Sequence, residues 1–321
     1  MVRSQRRLVT FVVCIGFAIG LVGCASDPDS QFGSPTIADG PAKLEFEGTE
    51  HINNPLIGRF WSPVTQEFIS WPEVARHMPR GGWLMVGEQH DHPDHHQMET
   101  FLTYFLAGQG ILGHVVMEMV SPTQRRAIYQ TNYFKRAAED LTATKLNWPS
   151  DDWPWVRYEQ QVKAAMRLSK GLKSGSLTQV QKESLQAFGD ALALYSTDHL
   201  QYLTDQVETS HCGPFSAEET IQMVNMQIAE DQVMAQQMIA YALPDKVGLL
   251  IAGSGHVRAD YGAPLWLADD VPVRTLLLVG VGASENPADY VQDTFYGQPA
   301  AQLVFFVPGT KQASSCKPFA S

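Results

Sequence analysis

Apolar residues fall in short unbroken runs in two parts of this chain and at helical spacing between them. Trp83-Leu84-Met85-Val86 and Val247 to Ala252 are runs of the length and continuity that predict strands buried on both faces. Met98, Phe101, Leu102, Phe105 and Leu106 recur on one face of a predicted helix from Pro93 to Ala107, ended by Gly108 and Gly110. Gly113 to Met117 is the next predicted strand. Strand, helix and strand within about 35 residues predict a right-handed βαβ unit with parallel pairing. Upstream, Leu56 to Ile69 reads as a hairpin around Ser62-Pro63. Ser70 to about Met78 reads as a short helix stopped by Pro79 and Gly81-Gly82.

From Thr123 to about Leu243 the pattern is helical, and no strand is expected. Helices are predicted over Val156 to Leu168, Gln179 to Val207 with an interruption near Gly189, and Ala217 to Ala242. An aromatic loop with Trp148, Trp153 and Trp155 precedes the first of them. Met223, Met226, Met234 and Met238 stripe the last, as packing residues. Strand runs resume at Val247 to Ala252, Val273 to Val279 and Leu303 to Val307. The fold class expected is α/β: a mostly parallel sheet of about five to seven strands, flanked by helices, with a large helical insertion at about 123–243.

Polar groups stand where the strand runs end. Glu88 and His90 follow the first run, Glu118 the second, and His256 and Arg258 the run from Val247. Gly-x-x-His occurs twice, from Gly87 to His90 and from Gly253 to His256. In an open α/β sheet the carboxyl ends of the strands bind ligands, so the five side chains are expected to share one edge. His90, Glu118 and His256 form a donor set suited to a divalent metal with an open position. The same groups also suit metal-free acid–base chemistry beside an anion-binding arginine. His92, His95 and His96 fall in the predicted first turn of the next helix, where solvation is expected.

The amino terminus stands outside this pattern. Arg3, Arg6 and Arg7 precede an apolar stretch from Leu8 to Gly20, and Leu21-Val22-Gly23-Cys24 resembles a bacterial lipobox. Residues 1–23 are expected to be a lipoprotein signal peptide, and Cys24 the lipidated residue, with a flexible tether to about residue 45. Residues 46–321 are the expected folded domain. Ala25 after the cysteine favours the outer membrane, with the domain facing the periplasm and held by lipid rather than by a spanning helix. Loss of residues 1–23 removes three arginines and no acid, lowering the formal charge from −11 to −14. So acidic a domain has no use for phosphate backbones, and nucleic acid is excluded as a partner. Export would permit a bridge between Cys212 and Cys316.

Gly87-Glu88-Gln89-His90-Asp91 with His95-His96, then Glu118, then Gly253-Ser254-Gly255-His256-Val257-Arg258 with Asp260-Tyr261-Gly262, resemble the ChaN family. Its wider group includes Tiki-type proteases and erythromycin esterases. His211-Cys212-Gly213, and Gln227, Asp231, Met234 and Ala235, are similar to that family's helical region. The resemblance implies a haem-binding lipoprotein linked to iron uptake, with haem at a homodimer interface and an outer-membrane iron or haem receptor as partner. It implies a pocket at Glu88, His90, Glu118, His256 and Arg258, but maps the family's haem ligand onto no single residue here. His211, in a loop beside Cys212, and Tyr261, whose phenol can ligate haem iron or simply pack, are candidate ligands read from the residues themselves. Ser169 to Ser176 departs from the family pattern, which has a short strand ending in Asn there. The alternative function is a hydrolase, metal-dependent or not, using the paired Gly-x-x-His motifs.

Overall fold

The computed structural model describes residues 40–41, 44–133, 141–183, 195–210, 215–291 and 294–311. Its strands are β1 (Phe60–Ser62), β2 (Glu67–Ile69), β3 (Gly82–Glu88), β4 (Leu112–Met117), β5 (Leu172–Ser174), β6 (Val247–Gly253), β7 (Val273–Gly280) and β8 (Leu303–Val307). They form one sheet in the order β2-β1-β8-β7-β3-β6-β4-β5. The six strands from β8 to β5 run parallel, and β1 and β2 close one edge as an antiparallel hairpin. The helices are α1 (Trp71–Arg76), α2 (Pro93–Gly108), α3 (Arg125–Tyr133), α4 (Ala143–Leu146), α5 (Trp155–Leu168), α6 (Gln179–Glu183), α7 (Thr197–Ser210), α8 (Ala217–Tyr241) and α9 (Ser254–Val257). The α/β class, the mostly parallel sheet and the hairpin are as the pattern predicts.

Every residue of β3 and β6 is buried, as central strands of a sheet covered on both faces must be. Phe101 and Phe105 of α2 pack edge-on against Trp71, which stacks on Phe60. On α8, Met234 and Met238 are fully buried in the main core, so the methionine stripe does pack. A capping box between Ser216 and Glu219 starts α8.

The sheet departs from the sequence expectation in three ways. It has eight strands, not five to seven. The extra strand is β5, at the sheet edge opposite the hairpin, which lies inside the segment expected to be wholly helical, within the stretch from Ser169 to Ser176. It pairs in parallel with β4, Val115 opposite Leu172 and Met117 opposite Ser174. Three residues carrying one buried leucine give no readable period, so only backbone pairing reveals this strand. Finally, β3 and β4 run parallel but are not neighbours, because β6 lies between them. The crossover through α2 skips one position, and a strand about 130 residues downstream in sequence fills it. The expected helix over 179–207 is present as α6 and α7, with residues 184–194 outside the described set.

Candidate functional site

The placement of β6 beside β3 brings the two Gly-x-x-His motifs together. Gly87 stands opposite Ala252 and Glu88 opposite Gly253, so both motifs leave the sheet at the same level. Glu118 follows β4 on the other side of β6. Two glycines permit the close approach. A Cβ on Gly253 would lie 2.8 Å from His90 Nε2, and one on Gly87 would lie 2.8 Å from Leu277 Cδ2 and 3.1 Å from Ser254 Cα.

The resulting cluster is a chain of alternating acids and imidazoles. His90 Nδ1 donates to Glu88 Oε1 at 2.7 Å. His90 Nε2 faces Glu118 Oε1 at 3.8 Å, and His256 Nε2 faces the same oxygen at 3.6 Å. His256 Nδ1 donates to Asp231 Oδ1 of α8 at 2.7 Å. The other oxygen of Glu118 accepts the Gly253 N–H at 2.7 Å. Each imidazole is therefore oriented by a carboxylate on Nδ1 and presents Nε2 to a shared carboxylate, as metal-ligating or acid–base histidines are.

Electrostatics follow from this arrangement. Burial works against charge on both imidazoles, but Glu118, with Glu88 on one side and Asp231 on the other, pushes His90 up to about 9 and His256 up to about 10. Burial pushes Asp231 up to about 6 against the pull of His256. Burial would also raise Glu118 and Glu88. Instead His256 and His90 lower Glu118, and contacts with His90 and His96 hold Glu88 well below the usual carboxylate range.

Beneath Glu88 lies a second layer. His96 Nε2 is 3.1 Å from Glu88 Oε2, close but without the alignment of a hydrogen bond. The Tyr158 hydroxyl of α5 lies 3.2 Å from Glu88 Oε1 and 3.0 Å from the His90 carbonyl. Glu99 accepts from Gln161 Nε2 at 3.2 Å and contacts Glu88. Burial and the Glu88 charge push Glu99 well above the ordinary range, so Glu99 is the protonated member of this acid pair. One proton between them accounts for Glu88 Oε2 and Glu99 Oε1, which otherwise lack a donor.

Glu88, His90, Glu118 and His256 thus meet as the sequence predicts. Arg258 follows the same strand but faces another network. Its Nε and Nη2 donate to the two Asp260 oxygens at 2.9 and 2.6 Å, and Nη2 donates to Tyr202 at 2.9 Å. Tyr261 is buried there as well, its ring under the Arg258 guanidinium and edge-on to Tyr202. Burial pushes its phenol up. His92, His95 and His96 are not solvated as expected but buried. The His92 and His95 rings stack at 4.1 Å, His92 Nε2 donates to the Pro308 carbonyl, and the Gln89 N–H donates to His95 Nδ1. Pro93 and Asp94 turn this helix start inward, and the Glu47 and Gly48 N–H groups cover Asp94. Cys24, His211, Cys212 and Cys316 lie outside the described residues.

Tyr158, Glu99, Asp231 and Glu230 belong to the cluster and were not foreseen as site residues. A signal existed for two of them. Glu99 and Asp231 are acids set among the buried positions of their helices, where an unpaired charge is not tolerated. Glu230, Glu118 and His256 present one ligand atom each within 4.8 Å of one another, a group that could hold a metal ion.

Residues 74–267 match the family model described as haem-binding uptake, Tiki superfamily, ChaN. Among solved structures, the one showing cofacial heme binding to ChaN of Campylobacter jejuni superposes with a TM-score of 0.60 at 21% identity, covering 77% of this chain and 95% of that one. The type III effector HopBA1 is more distant, with a TM-score of 0.38 at 11% identity over 74% of this chain and 93% of its own. No curated protein matches in sequence. With the family model spanning well over half of its length, the chain belongs to the ChaN family of the Tiki superfamily, the haem-binding uptake proteins.

Proposed function

We propose that this protein is a lipid-anchored haem-binding protein of the bacterial envelope, linked to haem or iron uptake, that holds haem between two copies of itself. The observation that carries the reading is the family match over residues 74–267. The Campylobacter protein, which binds heme cofacially, supports the dimer. The cluster has a group that fits an iron porphyrin. The His90 side chain is 38% exposed, its Nδ1 is held by Glu88, and the Trp153 ring stands edge-on to it at 4.8 Å. The half-exposed ring beside an indole suits a planar, apolar macrocycle, and Nε2 would reach its metal by turning away from Glu118. His90 thereby joins His211 and Tyr261 as a candidate axial ligand. Haem supplies the iron, and the chain supplies the ligand, the apolar wall and the second copy. Anchoring through Cys24 in the outer membrane, facing the periplasm, would place the site beside an iron or haem receptor.

Haemin titration of the protein lacking residues 1–23 tests this, with the Soret band and the sedimentation coefficient as readouts. A saturable spectral change with a shift to dimer mass is expected. His90→Ala, His211→Ala and Tyr261→Phe identify the ligand by which of them removes the band shift. No saturable change would end the reading.

A second reading is favoured by one observation: two imidazoles, each backed by a carboxylate, face a third carboxylate from opposite sides. Haem carriage does not need that arrangement, whereas a hydrolase can use it. His90, Glu118 and His256 would hold a divalent cation or move protons to and from water. Arg258 would serve an anionic group only after release from Asp260. Hydrolysis of ester or peptide substrates that is lost in both His90→Ala and His256→Ala would support this reading. Activity surviving both substitutions would remove it.

A further inference from the structure

We propose that the pocket binds a first-row divalent cation through Glu118, Glu230 and His256, and that Lys182 is a built-in competitor which occupies Glu230 until the cation displaces it. The inference deepens the metal form of the second reading and rests on it for the role of Glu118 and His256.

The three ligand atoms lie within 4.8 Å of one another, and each side chain is already oriented by a further contact. Glu118 is fixed by the Gly253 N–H on Oε2, which leaves Oε1 facing His256. His256 is fixed by Asp231 on Nδ1. Its side chain is more than nine-tenths buried, and its Nε2 points at Glu118 Oε1 from 3.6 Å, beyond hydrogen-bond range. Neighbouring ligand atoms around a first-row cation with bonds of about 2.0–2.2 Å lie roughly 3–3.5 Å apart, so a small contraction closes the set. One imidazole and two carboxylates suit manganese, iron or zinc in the divalent state.

Glu230 is bound on one oxygen by two donors. The Ser176 hydroxyl donates to Oε1 at 2.8 Å, and the Lys182 ammonium lies 3.0 Å from the same atom. Ser176 is buried, whereas Lys182 is 29% exposed on the short helix α6. The ammonium therefore places a positive charge against the cation site from the solvent side. Glu230 itself is buried, so the ammonium leaves only when an arriving cation compensates the carboxylate, while its own partly exposed position gives it a path into water. A divalent ion entering the site would repel it and take its carboxylate.

Mn2+ titrated into the full chain free of haem, with free ion read by electron paramagnetic resonance, tests the idea. Lys182→Met should bind Mn2+ about tenfold tighter than the wild type, from loss of one like charge near the ion. Lys182→Arg should stay near the wild-type value, and Glu230→Gln in the Lys182→Met background should abolish the gain. Equal affinity in wild type and Lys182→Met, with binding lost in His256→Ala, would overturn the role of Lys182 and leave the cation reading intact. A gain that survives Glu230→Gln would remove Glu230 from the site. No saturable binding in any of these proteins would overturn both the inference and the metal reading.

Discussion

At the residue scale, the chain concentrates buried charge at one sheet edge and balances it pair by pair. Glu88, Glu118 and Asp231 are deeply buried acids, and each has an imidazole against it. Removing one partner would leave the other charged and unpaired, a change that ordinarily costs about 3–5 kcal/mol. The raised values of His90 and His256, to about 9 and about 10, also fix the sign of a pH effect. Between about pH 6.5 and these values the native chain keeps protons that the unfolded chain has lost, so stability falls as pH rises through that window. The lowered Glu88 acts oppositely: its contribution is present above the unfolded carboxylate value and is lost as pH falls through the folded one. We expect Tm to decline from about pH 7 to pH 10, and to decline less steeply in His256→Asn. An unchanged slope in that variant would show that His256 is not a proton-holding group of the fold.

At the element scale, α8 joins the insertion to the core and to the site. Met234 and Met238 sit in the core under the sheet, and Asp231, one turn earlier, reaches His256. Met234 is fully buried, so Met234→Ala should destabilise by about 2–4 kcal/mol in urea unfolding, whereas Met226→Ala, at a half-buried position, should cost about 1 kcal/mol or less. Similar values for the two would show that α8 does not pack through the Met234 face. The same helix shows what the sequence makes legible. The runs before Glu88, Glu118 and His256 announce strands, and their ends announce the edge where those residues meet. β5 is silent, because Leu172 is its only apolar residue and its order comes from pairing with Val115 to Met117. His95 and His96 look like solvent-facing residues of a first helical turn, and only the tertiary fold, with Pro308, Glu47 and Tyr158 around that turn, buries them. Tyr158 reaches Glu88 from a position 70 residues away, a contact no local pattern encodes.

At the scale of the whole molecule, the family places haem with this fold, and the lipidation proposed for Cys24 would place the fold at a membrane. The second statement has a direct check. Cys24→Ser should leave the protein exported but recovered in the soluble periplasmic fraction, while the wild type sediments with outer membranes. A Cys24→Ser protein that still sediments would reject lipid anchoring. The acidic surface expected from a charge of −14 after processing would then keep the released domain soluble.

The position of β6 has a kinetic meaning. It is the seam strand between β3 and β4, and residues 118–246 must be made before it exists. Until then β3 and β4 have no partner on their inner edges, and the acids and imidazoles of the pocket have nothing to close around. Such long-range parallel pairing is slow to form. A nascent chain stalled before Val247 should therefore stay protease-sensitive and prone to edge-to-edge association, and should become resistant only once Val307 has emerged and β6, β7 and β8 can all pair. A sheet that cannot zip from its first strands keeps the polypeptide threadable for longer, which would serve the export proposed for this chain.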